Sequence, residues 1–87
     1  MTESIKIDIE QIASEMMERA KLFFRDPKNE RHIQRCIEYR DDLQSLKKRI
    51  EEKPDSLLNE RERGIKKILI NAIADMNERI KKLRRAH

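Results

Sequence analysis

The sequence is short of what sheets, clefts and extracellular frameworks are made from. One Gly and two Pro stand in 87 residues, too few for the repeated turns of an antiparallel sheet or for loops that cradle nucleotide phosphates. Cys36 is the single cysteine, so no disulfide closes within the chain, and a lone thiol fits a reducing compartment. No apolar run approaches the ~18 residues of a membrane span. The first ten residues lack the basic-then-apolar order of a signal peptide. A cytoplasmic chain without membrane contact is expected. Trp is absent, and Phe23, Phe24 and Tyr39 are the only aromatic residues. All three fall on or beside apolar stripes, none of them in the basic C-terminal run. Charge of one sign is lacking too: 21 Lys and Arg against 17 Asp and Glu leave +4, far from the field of a dedicated polyanion binder.

What is present is charge in bulk and isoleucine at helical spacing. Charged residues make up 44% of the chain and apolar residues 37%. The apolar residues recur at three and four, a periodicity that disordered tracts lack. At 10.5 kDa the scaling rules give roughly 5,400 Å² of folded surface against roughly 15,000 Å² unfolded, enough for one modest core. A single helical domain over residues 1–87 is expected, with 1–8 as an N-terminal arm.

Two prolines divide the chain. Asp8 caps a first helix, with Gln11 at N3 and Ile7 placed to staple onto Ile12. Ile9, Ala13, Met16, Ala20 and Phe23, flanked by Ile12, Met17 and Phe24, then form one stripe, and the helix runs 9–25. Asp26-Pro27 both ends that helix and opens a second, with Asp as N-cap and Pro at N1. The second spans 27–52, with Cys36, Tyr39, Leu43, Leu46 and Ile50 in line and Ile33 and Ile37 a quarter turn away. Lys53-Pro54-Asp55-Ser56 is the next break, with Asp55 or Ser56 as cap, and a third helix spans 57–84. Its face carries Leu58, Ile65, Leu69, Ala72, Met76, Ile80 and Leu83, widened by Ile68, Ile70 and Ile73. Gly64 is its weak point, either a tolerated mid-helix glycine or a break between two shorter helices. The fold class is all-α: a three-helix bundle dominated by a long antiparallel hairpin with coiled-coil-like stripes, completed by dimerisation or by the arm.

At 1.5 Å per residue the helices measure roughly 25, 39 and 42 Å. Joined at Pro27, the short helix should lie on the first half of the second helix and the second half of the third. That placement leaves Leu46, Ile50, Leu57 and Leu58 covered on one side only, and exposed apolar clusters mark partner sites. Those four residues, with Ile70 as a second contact, are the expected interface with a protein partner or a second copy, C2 being the commonest closure. The competing expectation is a three-helix monomer in which Ile5 and Ile7 of the arm, or a longer first helix, cover that end.

Chemistry has little support. His32 and Cys36 are spaced four apart and could offer half of a zinc site, but no second Cys follows and the other histidine is His87. Cys36 reads as a small core residue and His32 as a surface residue near a helix start. Glu15, Glu18, Glu38, Asp41 and Asp42 lie off the apolar stripes without a Glu-x-x-His pair, so they read as a solvated face paired with Lys and Arg three or four residues away. A bundle this small rarely encloses a pocket for a substrate. No metal, cofactor, small-molecule substrate or enzyme activity is expected. The rival to a helix-packing interaction module is a small nucleic-acid-binding or regulatory protein. Its contacts would be Arg79, Lys81, Lys82, Arg84 and Arg85, an acid-free terminus whose cations also complement the helix dipole.

Overall fold

The computed structural model describes residues 6–86. Within them lie three helices and no strand: α1 Ile9–Arg25, α2 Ile33–Glu51 and α3 Glu60–Arg85. Two 3₁₀ turns, Pro27–Arg31 and Asp55–Leu57, join them. This is the all-α, three-helix architecture that periodicity indicates. The stapling pair is in place, since Gln11 donates its N–H to Asp8 Oδ1 at 3.0 Å and Ile7 packs beside the buried Ile12. Ile5 and His87 lie outside the described residues.

Both turns correct the expected boundaries, the first by its 3₁₀ conformation and the second by a nearer cap. Asp26 does cap, accepting the Lys28 N–H, but the turn it opens at Pro27 is 3₁₀ and lasts five residues. His32 then leaves the helical region at φ −105°, ψ 109°, and α2 starts only at Ile33. The turn is held from both sides. Asn29 Nδ2 donates to the Phe23 carbonyl at 2.9 Å, satisfying one open acceptor at the end of α1. The buried Cys36 thiol points at the carbonyls of Asn29 and Glu30. At the second break the cap is Asn59 rather than Asp55 or Ser56. Asn59 Oδ1 accepts the Glu62 N–H at 2.8 Å, and Glu62 Oε1 accepts the Asn59 N–H at 2.9 Å, a complete capping box. Leu57 therefore belongs to the turn, and α3 begins at Glu60.

The 3₁₀ turn also moves α1. It packs alongside the first turns of α2, so α1 meets α2 only beyond it, with Phe23 stacked on Tyr39 at 4.5 Å and 10°. Arg19 pairs with Asp42 and Glu15 with Arg49 at 2.6 Å, while Glu10 pairs with Arg61 of α3. α1 thus lies over α2 from Tyr39 onward and meets α3 from Arg61, shifted toward the hairpin corner from the expected placement. The consequence is a core that closes at the hairpin corner: Leu43, Leu46, Ile50 and Leu58 all join Ile12, Leu69 and Ile73 in it.

Gly64 does not split α3, which runs unbroken for 26 residues. A methyl group built at Gly64 would meet nothing within 4 Å. Gly64→Ala is therefore expected to raise stability by about 0.5–1 kcal/mol, through the reduced freedom of the unfolded chain. A denaturant midpoint equal to or below that of the unsubstituted protein would show that the glycine does something besides fill a turn of helix.

Candidate functional site

The residues expected to form a partner interface divide into two groups. Leu46, Ile50 and Leu58 are core residues, sealed by α1, and cannot anchor a partner without unfolding the corner. Leu57, 62% exposed on its turn, and the exposed Ile70 remain at the surface. Ile70 borders a hollow with Arg63, Lys66 and Lys67, on the side of the hairpin that α1 does not cover.

The basic terminus divides as well, because a helix distributes five neighbouring residues around its axis. Arg79 points toward α1 and the first turn, where it pairs with Glu30 at 3.5 Å. Lys82 lines a groove with Phe24, Met76 and Leu83. Lys81 and Arg84 stand four and seven residues beyond Asn77, the residue that bonds Arg40 of α2, and so belong to the opposite side. Arg85 is exposed between them. The linear cluster Arg79, Lys81, Lys82, Arg84 and Arg85 is therefore not one patch.

The surface that sequence periodicity missed lies between α1 and α3, which run parallel. The Glu10–Arg61 pair pins one end. Carrying the same offset along both helices brings Met17 level with Ile68, and Phe24 level with Asp75 beside Met76. Met17, Phe24 and Ile68 are 57%, 52% and 51% exposed. Between them, Ala20 and Ala72 are the small, partly buried residues of a shallow floor. At the far end Phe24, Asp75, Met76, Glu78, Arg79, Lys82 and Leu83 enclose a groove of ≈ 420 Å³. One signal could have exposed this seam: Met17 and Phe24 lie seven apart, outside the stripe of Ile9, Ala13, Met16, Ala20 and Phe23.

Electrostatics fix α1 on the hairpin and leave little for chemistry. Arg49, donating to Glu15, holds that carboxyl below the usual range. Glu62, nearly buried, is held low first by the Asn59 N–H and then by Lys53 at 3.1 Å. Glu15 and Asp42 thus pair between helices, not along one as their spacing suggested, while Glu38 does pair with Arg35 on its own helix. Burial pushes the Cys36 thiol and the Tyr39 phenol upward, away from reactivity. His32 is exposed at the start of α2. Among the described residues no three His, Cys, Asp or Glu side chains gather as a metal site. No described helix is long and apolar enough to cross a membrane. Neither a protein-family model, nor a curated protein, nor a solved structure matches this chain.

Proposed function

We propose that the protein is a non-enzymatic helix-packing module whose interface is the α1/α3 seam, and that its partner is a second copy of itself. The observation that carries this reading is the seam trio. Met17, Phe24 and Ile68 are large apolar side chains, each about half exposed on one side of the molecule. Scattered surface apolar residues need no explanation, whereas an aligned set beside a groove marks an interaction surface.

The shape of the molecule agrees. It measures 55 × 23 × 19 Å and exposes 6663 Å², against roughly 5,400 Å² for a compact chain of this mass. A two-fold pairing of seams, with Met17 and Ile68 near the axis, would cover the trio on both copies at once. It would also set the Glu10 end of one copy near Lys21 and Arg25 of the other.

Sedimentation equilibrium between 1 and 100 µM tests the proposal. The unsubstituted protein is expected to shift toward twice its 10.5 kDa mass. Met17→Glu/Ile68→Glu is expected to stay monomeric with unchanged helix content, because both side chains already face water. Leu57→Asp, outside the seam trio, should leave association unchanged. A single 10.5 kDa species across the range, or loss of association with Leu57→Asp and not with the seam pair, sinks this reading.

A further inference from the structure

The side of the hairpin that α1 leaves bare has a different character from the seam. On α3, Arg63, Ile70, Asn77 and Arg84 recur every seven residues and form one row, with Lys67, Ala74 and Lys81 in the row beside it. On α2, Arg40 and Lys47 are likewise seven apart. Contacts between the helices show that these rows share one face. Arg40 donates to Asn77 at 3.1 Å, and Lys47 and Lys66 both reach Glu51. Arg63, Lys66, Lys67 and Ile70 line a shallow hollow with Asp55 and Leu58. Arg61, only two residues from Arg63, is on the far side with Glu10.

This face carries Arg40, Lys47, Arg63, Lys66, Lys67, Lys81 and Arg84 against Asp41, Glu51 and Asp55. Glu60 and Glu78 flank the α3 rows, three residues before Arg63 and Lys81, so the face is basic by count without holding the whole net charge of the chain. Asp41 pairs with Arg40, Glu51 with Lys47 and Lys66, and Asp55 with Lys66. Lys67, Lys81 and Arg84 form no ion pair among the described residues, and Arg63 donates only to the Asp55 carbonyl.

We infer that this α2/α3 face binds the phosphate backbone of a nucleic-acid duplex. Length favours a duplex. From Arg63 to Arg84 the helix advances about 32 Å at 1.5 Å per residue, close to the roughly 34 Å after which one strand of a duplex returns to the same side. The Arg63/Lys67 end and the Lys81/Arg84 end thus reach phosphates one turn apart, while Arg40 and Lys47 address the backbone between them. Single strands are disfavoured because the face lacks a stacking ring: Phe23, Phe24 and Tyr39 cluster together around the end of α1. A membrane surface is disfavoured because the apolar faces of both helices are spent in the core, leaving Ile70 as the large exposed apolar side chain of these rows. Binding is by charge and shape, without base reading.

The test is fluorescence anisotropy with labelled 24-base-pair DNA and RNA duplexes, the matching single strands, and phosphatidylserine vesicles. The unsubstituted protein is expected to bind duplex more tightly than single strand or vesicle. Four to six phosphate contacts give a log–log salt slope of roughly −4 to −5, a several-hundred-fold loss between 50 and 200 mM salt. Arg63→Glu/Lys67→Glu/Lys81→Glu should weaken duplex binding by well over tenfold and flatten the slope. Lys6→Glu/Lys28→Glu/Arg31→Glu, an equal charge change elsewhere, should weaken it far less. Circular dichroism checks that both variants keep their helices, which these exposed positions permit. Equal weakening by the two triples would reduce the effect to net charge and overturn the proposal. So would tighter binding to single strands or vesicles, or no duplex binding at 50 mM salt and 100 µM protein.

Discussion

Phe23→Ala is expected to lower stability by about 3–5 kcal/mol, the cost of emptying a well-packed aromatic site. Against the roughly 5–15 kcal/mol that holds a domain together, that is a large fraction. For a chain of this size it moves the thermal midpoint down by roughly 15 °C or more. The effect is large because three connections meet at this residue. The ring is buried and lies flat on Tyr39, while Phe24 meets both rings edge-on at 5.0 and 5.9 Å. Such pairs add about 0.5–1.5 kcal/mol to area burial. The Phe23 backbone carbonyl accepts the Asn29 side chain, so the ring and the 3₁₀ turn hold each other in place. Phe24→Ala, at a half-exposed position, should cost clearly less. Urea denaturation followed by far-ultraviolet circular dichroism measures both. With no Trp and one Tyr, the near-ultraviolet signal reports directly on the Tyr39 stack. A loss below about 1 kcal/mol for Phe23→Ala would mean that α1 does not dock on the middle of α2 as described.

The contrast between Phe23 and Phe24 shows how far periodicity reads and where it stops. The stripes of Cys36, Tyr39, Leu43, Leu46 and Ile50, and of Ile65, Leu69, Met76 and Ile80, were legible because a buried helix face repeats at three and four. All of them are core. The register of α1 on the hairpin was not legible. Periodicity states which side of a helix is buried, but the sliding position along its neighbour is set by the connection. The five residues after Asp26 could be read as the first turns of a helix or as a separate 3₁₀ turn. Asp as cap and Pro at N1 suit both, and the thiol of Cys36 and the amide of Asn29 support the second only once the chain is folded. That single ambiguity decides which end of the hairpin is expected to be open, and with it the candidate interface. The basic face was hidden for another reason. Counting charges along the chain concentrates them near Arg79 to Arg85, whereas the helix spreads those residues around its axis and aligns others from α2 and α3.

The hairpin corner is where the corrected register has its second large consequence. Leu57 and Leu58 are neighbours that sequence alone treats as a pair, yet Leu58 is 5% exposed while Leu57 is open to water. The 3₁₀ turn separates them: the Leu57 N–H reaches the Pro54 carbonyl at 2.9 Å and the Leu58 N–H the Asp55 carbonyl at 3.2 Å. This rotates one side chain outward and the other under the corner. Leu58 then sits between the capping box of Asn59 and Glu62 and the end of α2, where Lys53 bonds Glu62. Leu58→Ala is expected to cost about 2–5 kcal/mol, and Leu57→Ala to stay within about 0.5 kcal/mol of the unsubstituted protein. Asn59→Ala, which removes the cap alone, should fall between them at about 1 kcal/mol. Chemical denaturation of the three variants gives the ranking directly. If Leu57→Ala shifts the midpoint as far as Leu58→Ala, the corner is not closed by Leu58 alone. The apolar end expected from the sequence would then be a real opening rather than part of the core. If the ranking holds, a partner cannot be anchored at Leu46, Ile50 and Leu58 without unfolding α3 from its cap. Loss of binding caused by a charge placed at Leu58 would then report unfolding, which is why the seam variants at Met17 and Ile68 are the informative ones.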